Sequence, residues 1–149
     1  MKVVVDTNIL FSTLLNPHGK IGHLLFNSSS VFEFYCVTFL KEEIDCHTEK
    51  LLTISGFSDS ELSERKILVY KQMKFIDVSS LPIADILTAV DLVQSIDPDD
   101  MPHVALAKYL NAKLWTGDKA LIQGLREKGY EDVIDTNNLW DLRNKAMEK

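Results

Sequence analysis

The sequence predicts an α/β chain with a central parallel sheet, on three observations. Short β-branched and aromatic runs alternate with amphipathic stretches of helical period. Capping and turn residues separate them, and two of the strand-like runs lead into an aspartate. Such alternation gives parallel strands joined by helical crossovers, with helices on both faces.

The elements follow in order. Lys2–Val5 is a buried strand, ended by Asp6-Thr7-Asn8, and ILFSTLL opens a helix. Asn16-Pro17-His18-Gly19 reads as a turn, Ile21–Phe26 as a helix and Asn27–Ser30 as a loop. VFEFYCVT is the second strand. Thr38 is placed to cap one long helix, FLKEEIDCHTEKLLTIS, which Gly56 closes. Ser58-Asp59-Ser60-Glu61 carries capping chemistry for the helix ELSERKILVYKQM. MKFIDV is the third strand, and a helix runs from Pro82 to Val93. The acidic stretch SIDPDDMPHVALA leads into the helix HVALAKYL, for which Asn111 is the stop. AKLWTGD is the fourth strand, KALIQGLREKG an amphipathic helix, DVID a fifth strand and NLWDLRNKAMEK a final helix.

With 149 residues, 46% hydrophobic and 26% charged, the chain suffices for one domain, 1–149, with its own core. No repeat or linker divides it. The apolar start is interrupted by Asp6 and Asn8 and lacks a leader's basic region, and no stretch is long enough to span a membrane. Cys36 and Cys46 are the only cysteines and form no CxxC pair, so two free, buried thiols and a cytoplasmic setting are expected. A net charge of −6 argues against gripping nucleic acid by bulk electrostatics. It leaves open contact through a divalent ion, which inverts the sign of an acidic pocket.

Ligands of open parallel sheets bind beyond the carboxyl ends of the strands. Asp6 and Asp118 fall at two such ends, Glu42 and Glu43 lie one turn into the helix after the second strand, and Asp97, Asp99 and Asp100 precede the helix into the fourth. A right-handed fold brings Asp6, one of the two glutamates, one of these three aspartates and Asp118 to one rim. Glu43 borders the Leu40/Ile44/Leu51 stripe, whereas Glu42 is the solvent-facing alternative. Oxygen ligands of this kind suit Mg²⁺ or Mn²⁺. The four histidines lack zinc spacing. Carboxylates with one or two hard ions are the usual apparatus of phosphodiester hydrolysis.

Each acid also has a plain structural role available. Asp6 and Asp118 are good helix caps, and Asn8 either satisfies the same turn or holds Asp6 in orientation. His47 and His103 read as packed or surface residues rather than bases, and His18 and His23 as surface residues. Trp115 reads as a core strand residue and Trp140 as the dock of the last helix.

Four stretches, VVVDTNIL, TFLKEEI, DPDDMPHVALA and LWTGDKAL, together resemble the PIN domain family, specifically its small prokaryotic toxin components of toxin–antitoxin pairs. The resemblance implies a three-layer α/β/α sandwich around a parallel sheet of about five strands. It also implies an endoribonuclease dependent on Mg²⁺ or Mn²⁺, an antitoxin partner and a homodimer. Carried over by position, Asp6, Glu43, Asp100 and Asp118 are the catalytic and metal-holding acids. Thr7, Asn8 and Thr116 support them, and Asp97 and Asp99 are outer or capping acids. Where the family often has a lone glutamate, Glu42 and Glu43 stand side by side. Residues 57–73 form a helical insertion whose Arg65, Lys66, Lys71 and Lys74 are candidate phosphate contacts or a solvated face.

A non-catalytic binding module on the same fold is the rival reading, and the presence of all four acids counts against it. A phosphatase of the Asp-x-Asp type is disfavoured because Asp6-Thr7-Asn8 stands at that position. A receiver-like domain lacks its acidic pair and late lysine.

Overall fold

A computed structural model describes residues 1–148, and Lys149 of the expected final helix lies outside the described residues. The five strands are β1 (Lys2–Val5), β2 (Glu33–Val37), β3 (Met73–Ile76), β4 (Lys113–Trp115) and β5 (Val133–Ile134). They form one all-parallel sheet in the order β3-β2-β1-β4-β5. The first crossovers step from β1 outward through β2 to β3, and the chain then returns to lay β4 on the other side of β1. That reversal makes the crevice between β1 and β4 the switch point of the sheet. Val3, Val4 and Val5 are fully buried at its centre, with Val5 in register with Trp115. Branched side chains covered on both faces are what a central parallel strand requires.

Nine helices flank the sheet among the described residues: α1 (Thr7–Leu15), α2 (Lys20–Phe26), α3 (Phe39–Cys46), α4 (Thr48–Ser55), α5 (Asp59–Tyr70), α6 (Ile83–Val93), α7 (Met101–Leu110), α8 (Lys119–Glu127) and α9 (Thr136–Met147). One layer is built on α1, which packs against α2, α3, α4 and α5, while α9 joins it through α2. The other holds α6 against α7 and α8. The α/β/α sandwich expected from the sequence is therefore present. In α7, Val104, Ala105, Leu106 and Ala107 are all fully buried, and the helix lies across β1, β2 and β4. Since α7 runs back toward the start of β4, its own N-terminus sits at the carboxyl rim of the sheet.

Several local expectations hold for the reasons given. Ser58 and Glu61 form a reciprocal capping box at α5. Asn111 ends α7 in the left-handed conformation at φ 52°, and Gly56 ends α4 at φ 73°. Trp115 is fully buried, its indole N–H bonded to Thr136 Oγ1 at 3.1 Å. The short 3₁₀ turns at Val78–Ser80 and Pro98–Asp100 went unread in the sequence.

Three expectations are corrected. The single helix over 39–55 is two helices hinged at His47, where the Thr48 hydroxyl bonds the Asp45 carbonyl and competes with the helical ladder. The break lets α3 and α4 both pack on α1. It also leaves His47 exposed, the surface alternative of its two readings, with its ring packed against Phe11. Thr38 makes no side-chain cap: its backbone is already helical at φ −59° and ψ −33°, not in the extended conformation typical of a capping residue. Cys36 is buried as expected, but Cys46 is exposed at the end of α3.

Gly22 is required by close approach: a Cβ there would lie 2.2 Å from the Pro17 carbonyl oxygen. Backbone cannot yield as a side chain can, so Gly22→Ala is expected to lower unfolding stability by about 1–3 kcal/mol in denaturant titration.

Candidate active site

The site begins where β1 ends. Asp6 is 5% exposed, and its backbone N–H still pairs with the Trp115 carbonyl of β4. Its Oδ1 accepts the Thr7 backbone N–H at 2.7 Å, so the cap expected of Asp6 is made. Its Oδ2 accepts the Thr116 hydroxyl at 2.6 Å across the switch point. Thr116 is fully buried, and its oxygen also accepts from Asp118 N at 3.1 Å and Asn8 Nδ2 at 3.4 Å. That hydroxyl thus uses its donor and both lone pairs. Asn8 accepts in turn from Gly117 N at 3.3 Å. It therefore holds the turn after β4 and reaches Asp6 only through Thr116.

Asp118 opens α8, its Oδ1 accepting from Leu121 N at 3.1 Å. Asp100 opens α7 but makes no side-chain cap, and its Oδ2 is buried without a partner among the described residues. Burial, followed by the charges of Asp6, Asp97, Asp118 and Asp99, pushes its carboxyl from an ordinary 3.8 up to about 7. Asp6 and Asp118 therefore act on the same space as Asp100. Asp97 is occupied locally, capping the 3₁₀ turn through Asp99 N at 3.0 Å, and Asp99 is exposed.

Glu43 enters through Thr7, whose hydroxyl donates to Glu43 Oε1 at 3.1 Å. Glu43 is half-buried and faces this rim, whereas Glu42 is exposed. The structure thus favours the glutamate beside Ile44. Of the insertion's cations, Lys66 pairs with Asp45, Arg65 covers the Phe57 ring and Lys74 covers Tyr35.

His103 is the site residue that sequence reasoning undervalued. It is packed, 3% exposed, but its Nε2 lies 3.4 Å from Asp6 Oδ1 and 3.2 Å from Thr7 Oγ1. The available signal was its spacing, three residues beyond Asp100, which places both on one side of a helical turn.

Among the described residues, no lysine or arginine pairs with Asp6, Glu43, Asp100 or Asp118. Nor do any three of the His, Cys, Asp and Glu side chains among them stand close enough together to hold an ion between them. A hard ion that retains most of its water needs only one or two carboxylates from the protein. The acids offer only oxygen, no lysine or arginine among the described residues neutralises them, and one buried oxygen is an orphan, so they fit such an ion.

The sequence matches the PIN domain family over residues 4–144. This chain belongs to that family. It is 31% identical, over 93% of its length and 83% of the relative's, to an uncharacterized protein of Methanocaldococcus jannaschii. Its fold resembles that of a chain in the crystal structure of VapBC2 from Rickettsia felis bound to a DNA fragment from their promoter. That likeness has a TM-score of 0.64 at 15% identity and covers 91% of this chain and 97% of the other. The PIN fold accounts for the shared rim: parallel strands deliver Asp6 and Thr116, and helix N-termini deliver Asp100 and Asp118. No helix among the described residues of this PIN domain is long and apolar enough to cross a membrane.

The orphan carboxyl has a consequence for stability in metal-free protein. The folded chain keeps the Asp100 proton to about pH 7, while the unfolded chain releases it near 3.8. Stability from this group is therefore lost as pH rises between those values. Metal-free Asp100→Asn is expected to match wild type near pH 3 and to exceed it by about 1 kcal/mol at pH 8, allowing for solvent screening. Thermal melts of both proteins across this range check it.

Proposed function

We propose that this PIN domain, residues 1–149 with the helical insertion at 57–73, is an endoribonuclease dependent on Mg²⁺ or Mn²⁺. The single observation that carries the reading is the unpaired acidic rim. The charges of Asp6 and Asp118 act on Asp100 at the switch point, Glu43 approaches through Thr7, no lysine or arginine among the described residues pairs with these acids, and one buried oxygen of Asp100 has no partner. Asp6 and Asp100 would hold the ion, with Glu43 and Asp118 on its flanks. When bound, it supplies neutralisation of phosphate charge and an acidified water as nucleophile.

The chain's own groups do the rest. Thr116 and the Thr7 N–H aim the Asp6 carboxylate, and Thr7 holds one oxygen of Glu43 toward the same space. Such fixed orientation limits the motion needed to place a phosphodiester for in-line attack. Asp100 would hold such an ion as a carboxylate, since a nearby positive charge offsets the burial and the repulsion that raise its pKa. Glu43 and Asp118 each have one oxygen bound internally, which suits them to accept hydrogen bonds from water in the rim.

The same reading makes this chain the cytoplasmic toxin of a toxin–antitoxin pair. The likeness in fold to a chain of Rickettsia felis VapBC2, crystallised bound to a fragment of their promoter, supports it. A DNA-binding antitoxin would cover the acidic rim, and a homodimer would be the working form.

Incubation of RNA with the purified protein and Mn²⁺ is expected to give cleavage that EDTA stops. Asp6→Asn and Asp118→Asn should each lower kcat/KM by at least about 100-fold, more than loss of an outer partner typically costs. Glu43→Gln should lose activity on the same scale, while Glu42→Gln stays within about twofold, as expected for an exposed neighbour. Wild-type rates in Asp6→Asn would overturn the reading. No cleavage together with a flat Mn²⁺ titration would favour the binding module instead.

A further inference from the structure

We infer that His103 is a positioning residue of this site, setting the Asp6 and Glu43 carboxylates relative to each other through Thr7. The assignment rests on the metal-dependent reading above and deepens it. His103 opens a turn of α7 that is buried on every side, with Val104, Ala105, Leu106 and Ala107 after it. A polar ring in such a place is costly unless its polar atoms find partners. Both partners of its Nε2 belong to the acidic rim.

The hydrogen bookkeeping fixes the direction. Thr7 has one hydroxyl hydrogen, and that hydrogen goes to Glu43 Oε1. Its oxygen is therefore the acceptor toward His103, and Asp6 Oδ1 can only accept. Nε2 must carry hydrogen and donate on this side. The result is one continuous path from His103 on α7, through Thr7 at the start of α1, to Glu43 on α3, with Asp6 tied in alongside. It crosses from one helical layer to the other at the rim. Nδ1 is buried with no partner among the described residues, so Nε2 makes the only polar bonds that hold the ring. Outer partners of this kind tune ligand orientation, and their loss commonly weakens metal binding 10–100-fold.

The test is calorimetric Mn²⁺ titration alongside cleavage kinetics for wild type, His103→Leu, His103→Gln and Thr7→Val, with melting curves to confirm folding. Leu removes the donor, whereas Gln presents an amide N–H at similar reach. His103→Leu and Thr7→Val are expected to weaken Mn²⁺ binding by about 10-fold or more and to lower kcat even at saturating Mn²⁺. His103→Gln should recover to within about threefold of wild type, since it keeps a hydrogen-bond donor there. If His103→Leu does not fold, His103→Gln and Thr7→Val carry the comparison. Wild-type titration curves in a folded His103→Leu or in Thr7→Val overturn the assignment, as does a folded Gln variant that has lost binding. A wild-type chain that binds no Mn²⁺ overturns the metal reading itself, and with it this assignment.

Discussion

The structure of this site depends on one short hydrogen bond, from the Thr116 hydroxyl to Asp6 Oδ2 at 2.6 Å. It joins the ends of β1 and β4, two strands more than a hundred residues apart in sequence that meet at the switch point. A hydroxyl donating to a carboxylate in a water-poor place is among the stronger neutral-to-charged contacts. Because Thr116 also accepts from Asp118 N and Asn8, the same oxygen fixes the turn that aims Asp118. The sheet supplies rigidity beneath it, with Val5 and Trp115 in register and fully buried.

Around that bond the protein sets like charges against one another. Asp100 bears the largest share, since its oxygen is buried, unpartnered and surrounded by Asp6, Asp97, Asp118 and Asp99. The repulsion is tolerated because α7 is held elsewhere, by the buried turn Val104–Ala107 that packs on β1, β2 and β4. Stability and the proposed chemistry pull in opposite directions at this position. His103, on the next turn of the same helix, is where that packing surface and the acidic rim meet.

Much of this was legible because the signals were local. Alternating β-branched runs marked β1 and β2, capping chemistry marked α5, and Asn111 and Gly56 marked two helix ends. The hinge at His47 was not legible, since Thr48 and its neighbours have ordinary helical propensity and the break is stabilised by packing of two helices on α1. The exposure of Cys46 follows from the same hinge region. Thr38 has the right chemistry for a cap, but the chain leaving β2 already holds it in helical rather than extended backbone.

By itself the sequence determined the class of fold, named Asp6, Asp100 and Asp118 as candidate acids, and carried the motifs of the PIN family in order. These follow from residue type and spacing along one chain. Only the tertiary structure decided that Glu43 rather than Glu42 turns inward, that Asn8 acts through Thr116, and that His103 reaches Asp6 and Thr7. Those outcomes depend on how elements distant in sequence are rotated against each other. The physical reason is that a hydrogen bond is decided over tenths of an ångström, while periodicity places a side chain only to within a helical face.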